Sequence, residues 1–252
     1  SAAMPETKHD LPTPALVLDL DRFEANVAKL ADHARAAGVG VRPHAKTHKC
    51  PEIARRQLAA GALGVSVATV PEAEAMAAAG ITGLLLTSPI VEPTKIARAV
   101  KIVADGGSLM LAVGHVREVE LLAEACASSG VTMDLLIDVD VGDHRTGVAP
   151  GEAALDLARE IAKRKPLRLR GVQAYSGSAS HTVGFAEREA RSREQMGRAV
   201  ETQRLLEKNG FDAAILSGGS TGTYNIDSAI DGVTELQCGS YVVMDVDYRR
   251  IG

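Results

Sequence analysis

Two spacings alternate along this chain. Short apolar runs give way to longer stretches in which apolar residues recur every three or four positions, the spacing of one helix face. "GVGVRPH" reads as a strand, and "CPEIARRQLAAG" as a helix with Pro51 in its first turn and Gly61 just past its end. The pattern repeats in "GVSVAT" with "PEAEAMAAAG", "GLLLTSP" with "EPTKIARAVKIV", and "SLMLAV" with "VREVELLAEACASSG". "MDLLIDVD" with "PGEAALDLAREIAKR" continues it, then "RLRGVQAYS" with a long helix from about Ala186 to Asn209, then "AAILSGGS" and "TELQCGSYVVM". Alternating strands and helices imply right-handed crossovers and a parallel sheet. About eight strands from "GVGVRPH" onward is the number that closes a (β/α)8 barrel. An open doubly wound sheet would carry a glycine-rich turn after its first strand, and "LDLDRF" has no glycine. The barrel is therefore expected, over residues 13–248. "ALVLDL", ahead of a helix from Asp21 to Ala37 with Asp21 as its N-cap, is a surplus strand in need of another partner.

Composition narrows the class. With 46% hydrophobic and 24% charged residues, the chain can bury a large core. A net charge of -4, with no strongly basic half, argues against nucleic acid or an anionic membrane as the partner. No apolar run approaches the ~18 residues that span a bilayer. Residues 1–12 form an N-terminal extension in which "SAA" reads as a cloning scar before a natural start at Met4. Cys50, Cys126 and Cys238 are odd in number and far apart, so neither a disulfide framework nor a cysteine metal site is implied. A reducing cytoplasm is the expected setting.

In a barrel, chemistry sits in the loops after the strand ends. Those loops here read "HAKTHK", "DVGDHRTG", "AYSGSASH", "SGGSTGTY" and "CGSY". They hold Tyr175, Tyr224 and Tyr241 in a chain that is only 3% aromatic, which is not the placement of core fillers. In "SGGSTGTY", Gly218 and Gly219 allow a tight turn. Their N–H groups with the Ser220 and Thr221 hydroxyls are expected to form an anion-binding nest, where barrels often bind phosphate. After the eighth strand, Gly239 with the N–H of Ser240 and the hydroxyl of Tyr241 is expected to complete it.

Across the mouth lies "VRPHAKTHK", where Lys46 is either a solvated cation or a nucleophile. A phosphate cup facing a strand-one lysine suits pyridoxal phosphate, whose aldehyde a lysine amine attacks. Strand alternation points His44 and Lys46 to one side. Arg42, His44, His48 and Lys49 are candidates for lowering the lysine pKa. For Lys49 a plain surface charge is the expected reading, and for Arg42 that reading stays open.

These ordered segments, together with "RPHAKTHKCPEIARRQL", "DVDVGDHRTGV" and "ELQCGSYVVMD", resemble the D-threonine aldolase and D-serine dehydratase-like group. That group comprises fold-type III pyridoxal-phosphate enzymes related to alanine racemase. The resemblance implies a TIM-like barrel of the alanine racemase type, acting as a lyase on D-configured β-hydroxy amino acids. It implies Lys46 as the Schiff-base residue, Arg145 near the cofactor O3′, and Tyr175 at the pyridine nitrogen. It further implies His181 at the substrate β-hydroxyl proton, with Asp138 and Asp140 orienting Arg145. Ser220 stands where the group usually has glycine.

The group also has a C-terminal β-domain holding a divalent metal (Mn, Mg or Zn), and a homodimer is implied. Gly252 follows the eighth strand directly, so that domain and its ligands are expected to be absent from this chain, which is then either a fragment of a longer protein or a single-domain one, and no residue here is assigned to a metal. Two alternatives remain open at this stage. One is a single-domain pyridoxal-phosphate binding protein without catalysis. The other is an amino-acid racemase, which needs a second base.

Overall fold

The computed structural model describes residues 7–252, so the expected start at Met4 lies outside the described residues. Eight parallel strands alternate with helices. The strands are β1 (Gly40–Val41), β2 (Val65–Val67), β3 (Leu84–Leu86), β4 (Leu109–Val113), β5 (Met133–Asp138), β6 (Leu167–Ala174), β7 (Ile215–Gly218) and β8 (Glu235–Leu236). The outer helices are α1 (Leu20–Ala37), α2 (Pro51–Ala59), α3 (Val70–Ala78), α4 (Pro93–Ala104), α5 (Val116–Ser129) and α6 (Glu152–Ala162). A one-turn α7 (Gly177–Ser180), the long α8 (Phe185–Lys208) and a one-turn α9 (Tyr224–Asp227) complete the set.

The sheet runs β1-β8-β7-β6-β5-β4-β3-β2. Its two ends meet where the Leu63 N–H donates to the Val41 carbonyl at 2.8 Å and the Ser66 N–H to the Pro43 carbonyl at 2.9 Å. A parallel bridge between His44 and Ser66 extends that seam, so the expected (β/α)8 barrel is closed. Strands buried on both faces need continuous apolar runs, and Leu84, Leu85 and Leu86 are all fully buried. α1 shows the complementary pattern, burying Phe23, Val27, Leu30 and Ala34 at helical spacing against the barrel.

Two expectations are corrected, and the reading left open for Arg42 is decided. "ALVLDL" forms no strand: Ala15–Asp19 has no ladder partner among the described residues, and Leu16 is 106% exposed. An isolated extended segment has nowhere to place its backbone hydrogen bonds except water. α1 starts earlier than expected, because Asp19 rather than Asp21 caps it, accepting the Arg22 N–H at 3.1 Å. Arg42 is no surface charge. It is 6% exposed, forks onto Glu235 with Nε–Oε1 at 2.8 Å and Nη2–Oε2 at 2.9 Å, and also donates to the Gly83 carbonyl.

Candidate active site

The chain leaves β1 through His44 into a single 3-10 turn, Ala45–Thr47, so Lys46 stands on a turn and not on the strand itself. The His44 ring locks this turn. Its Nδ1 accepts the Lys46 N–H at 3.3 Å, which leaves the ring proton on Nε2 to donate to Thr87 Oγ1 at 3.0 Å. Burial foremost, then the charges of Lys46 and Arg145, drive the His44 pKa down to about 3. His44 is therefore a neutral strut, not a cation.

The Lys46 side chain reaches the open mouth of the barrel. Desolvation and then the Arg145 charge pull its amine below the ordinary lysine range, with Glu72 opposing. That shift enlarges the unprotonated fraction a nucleophile needs. Glu72 is itself held by the Ala68 N–H at 2.8 Å and by Lys49. Lys49 is exposed as expected, but it neutralises a buried carboxylate beside the site.

Tyr175 sits just past β6 and gathers the cationic groups. Lys46 Nζ lies 5.4 Å and the Arg145 guanidinium 5.6 Å from its ring centroid, both over the ring. Burial pushes its phenol up to about 12, so it stays a neutral hydroxyl at ordinary pH. Asp143, to which sequence reasoning gave no role, sets the next segment. Its carboxylate accepts from Ser176 Oγ at 3.0 Å, Ser178 Oγ at 2.5 Å and the Gly177 N–H at 2.7 Å. These bonds outweigh burial and hold its pKa below the usual carboxylate range.

His181 follows α7, exposed. Its Nδ1 faces the Gly177 carbonyl at 3.0 Å and can only donate there, which leaves Nε2 as a free lone pair. Its ring stacks on Tyr248 with centroids 5.1 Å apart, and the Tyr248 hydroxyl lies 3.1 Å from Ser180 Oγ. Asp138 and Asp140 act differently from expectation. Asp140 accepts the N–H groups of Gly142 and His144, each at 3.0 Å, and so shapes the loop bearing Arg145 without touching the guanidinium. Asp138 is buried in the barrel and bonded to Gln173 at 3.0 Å; burial pushes its pKa up, against Gln173, Thr146 and the Arg145 charge, which favour its ionised form. Gln173 reaches across the interior to the Thr87 carbonyl at 3.0 Å and accepts from Gln237 at 3.1 Å.

The glycine-rich loops follow β7 and β8, the strands next to β1 in the ring. Gly219 turns with φ +74, and a Cβ there would stand 2.9 Å from Leu236 and 3.0 Å from Asp227. A Cβ on Gly239 would stand 2.8 Å from Thr47 Oγ1 and 3.1 Å from the His44 carbonyl. The β8 loop is thereby seated directly on the lysine turn. Among the described residues the N–H groups of Gly219, Thr221, Gly239 and Ser240 make no hydrogen bond. Such a row of unspent donors beside side-chain-free backbone fits a phosphate group.

Two expected cup residues spend their groups elsewhere. The Ser220 N–H and hydroxyl both meet Thr223 Oγ1, at 3.2 and 3.0 Å, and Thr223 in turn bonds buried Asp227 at 2.6 Å. The Tyr241 hydroxyl points away from the cup. It accepts from Gln57 at 3.0 Å beside a cavity of about 340 Å³ between α1 and α2, while the Tyr241 N–H bonds Thr221 Oγ1 at 3.1 Å. The expectation had rested on placement after β8, and a 3-10 turn at Ser240–Val242 rotates the side chain outward. Tyr224 instead packs edge-on to His33, 4.9 Å between centroids, at the barrel flank. Among the described residues no group of three or more His, Cys, Asp or Glu is placed to hold a metal ion. No helix there is long and apolar enough to cross a membrane.

A barrel mouth that joins a lysine, an arginine and a tyrosine to two glycine-rich loops is the frame for comparison with known proteins. The family model described as "Alanine racemase, N-terminal domain" matches residues 18–247, and the chain belongs to that family. The crystal structure of D-threonine aldolase from Filomicrobium marinum superposes with a TM-score of 0.95 at 39% identity, covering 97% of this chain and 66% of that one. D-threo-3-hydroxyaspartate dehydratase from Delftia sp. HT23 gives 0.90 at 34% identity, covering 96% and 64%. The 3-hydroxy-D-aspartate aldolase of Paracoccus denitrificans is 36% identical over 243 residues, 96% of this chain and 63% of the relative. The chain thus spans less than two thirds of the length of these relatives.

Proposed function

We propose that this chain is the cofactor-binding barrel of a pyridoxal-phosphate lyase acting on D-configured β-hydroxy amino acids. The observation that carries the reading is Tyr175, with Lys46 and Arg145 over its ring, in a barrel mouth whose β7 and β8 loops carry unspent N–H donors. Aldolases and a dehydratase for such substrates are among the relatives with this barrel, at higher identity than the alanine racemases that also share it. Bound pyridoxal phosphate supplies the electron sink for the bond broken at the substrate Cα.

The residues divide the remaining work. Lys46, its amine made more nucleophilic by burial and Arg145, carries the cofactor. The N–H groups of Gly219, Thr221, Gly239 and Ser240 take the phosphate, and Thr221 and Ser240 add hydroxyls. Tyr175, neutral, provides an uncharged contact, so the ring system it meets keeps less positive charge than a cation would enforce. Arg145 offers a fixed positive charge for a phenolic or carboxylate oxygen. His181 Nε2, held free by the Gly177 bond, takes the β-hydroxyl proton. In an aldolase that proton transfer accompanies cleavage of Cα–Cβ to glycine and an aldehyde. In a dehydratase the Cα proton is removed, and a proton is delivered to the departing hydroxyl rather than taken from it, so that it leaves as water. A second water then hydrolyses the released imine to the oxo acid and ammonia. A homodimer and a divalent metal at the β-hydroxyl belong to the same reading. Sedimentation and metal-titrated activity test them.

The deciding experiment adds pyridoxal phosphate to the protein and to Lys46→Ala. A visible band near ~420 nm, expected for the lysine-bound cofactor, must appear in the first and not in the second. D-threonine and D-3-hydroxyaspartate are then assayed for glycine and for oxo acid. Full activity in Lys46→Ala sinks the reading. Tight cofactor binding without turnover of either substrate would point to a cofactor-holding protein instead.

A further inference from the structure

We propose that Gln57 is a positioning residue, whose side-chain amide braces the Lys46 turn against the glycine-rich cup through His48 on one side and Tyr241 on the other. The cofactor-binding arm of this proposal rests on the function proposed above. Gln57 lies inside α2 on the face that also buries Ala54, and it is 2% exposed. An amide in such a place is costly unless both ends are bonded.

One end is settled. The Gln57 Nε2 donates to the Tyr241 hydroxyl at 3.0 Å, and the Tyr241 N–H donates to Thr221 Oγ1 at 3.1 Å. Ser240, whose N–H makes no hydrogen bond among the described residues, is the residue just before Tyr241. The other end has one complement. Gln57 Oε1 is a buried acceptor without a close partner, and His48 Nε2 is a buried ring nitrogen in the same condition. The Cys50 N–H occupies His48 Nδ1 at 3.0 Å, so the neutral ring bears its proton on Nε2. Burial lowers the His48 titration, and Gln57 acts against that shift as a hydrogen-bond acceptor. His48 closes the 3-10 turn that carries Lys46, its N–H bonded to the Ala45 carbonyl. The brace therefore runs from the lysine turn through His48, Gln57 and Tyr241 to Thr221, behind the mouth. It sets the separation between the amine that holds one end of the cofactor and the loops that hold the other.

The test compares Gln57→Leu, Tyr241→Phe, the double variant and Gln57→Glu. The cavity lined by Gln57 and Tyr241 leaves room for leucine without overpacking. Three readouts are used: pyridoxal-phosphate affinity from the visible band, thermal melting of the cofactor-free protein, and the His48 Nε2–H resonance by NMR. Gln57→Leu is expected to fold, to bind the cofactor about tenfold or more weakly, and to lose exchange protection of the His48 ring proton. Tyr241→Phe should lose less, and the double variant no more than Gln57→Leu, because the links act in series. Gln57→Glu keeps an acceptor for both neighbours. It should bind nearly as the parent and raise the pH at which His48 titrates.

Unchanged affinity in Gln57→Leu, additive losses in the double variant, or a Gln57→Glu as weak as Gln57→Leu overturns the brace. If the parent protein binds no pyridoxal phosphate, the proposed function fails. The His48 proton in the cofactor-free protein then decides the brace alone: protection unaltered by Gln57→Leu overturns it.

Discussion

Replacing Glu235 by glutamine tests whether the fork between Arg42 and Glu235 is as buried as the barrel makes it. The two side chains are 6% and 2% exposed and share two hydrogen bonds, at 2.8 and 2.9 Å. A glutamine oxygen can accept only part of that fork and carries no charge, so the Arg42 guanidinium is left buried and uncompensated. Breaking a buried pair from one side costs about 3–5 kcal/mol. For a domain of this size each kcal/mol moves the melting temperature by roughly 2–4 °C, so a fall on the order of 6–20 °C is expected. Urea unfolding of the parent, Glu235→Gln, and the double variant Arg42→Met/Glu235→Leu measures it. The double variant should recover most of the loss, because desolvating two charges is itself expensive. A Glu235→Gln protein within ~1 kcal/mol of the parent would mean that water screens the pair, and the reasoning fails.

Other consequences are equally open to measurement. In the folded protein His44 refuses a proton until about pH 3, whereas an unfolded histidine takes one below about pH 6.5. The unfolded state binds more protons between these limits, so His44 removes stability as pH falls from 6.5 towards 3, by up to a few kcal/mol in order of magnitude. His44→Asn should flatten that slope in urea melts at about pH 7 and about pH 5; an unaltered slope refutes it. Asp143 has the depressed carboxylate pKa, so its stabilisation is present above the ordinary carboxylate range and lost as pH drops below it. Asp143→Asn should cost about 1–3 kcal/mol and speed hydrogen exchange at Gly177 and Ser178. Gly239→Ala should weaken cofactor binding about tenfold, because the new methyl meets Thr47 Oγ1 and the His44 carbonyl. Adding Thr47→Ala should restore part of the loss, seen by titrating the visible band.

Much of the mouth was legible in the sequence because loops after parallel strands collect at one end of a barrel. "HAKTHK", "GDHRTG", "AYSGSASH" and "GGSTGTY" do meet there, and Lys46, Arg145 and Tyr175 lie together. Individual side chains were less legible. Tyr241 shares the mouth's sequence signature yet turns its hydroxyl to Gln57. Gln57 left a faint signal, a polar residue at helical spacing from buried Ala54. Asp143 stood inside a quoted motif, but its three close partners come from a segment more than thirty positions on.

The alternation of apolar spacings, a local property of the chain, determined the strands, the helices and so the barrel. The residue types in the strand-end loops determined the chemistry available. Only closure decided which of those residues are buried, paired or free. β1 meets β8 only when the ring shuts, and that contact turns Arg42 from an apparent surface charge into one half of a buried fork. It also seats Gly239 on the lysine turn, linking the two sides of the site. "ALVLDL" marks the same boundary from the other side: its pattern is that of a strand, but a strand exists only beside a neighbour, and none of the described residues provides one.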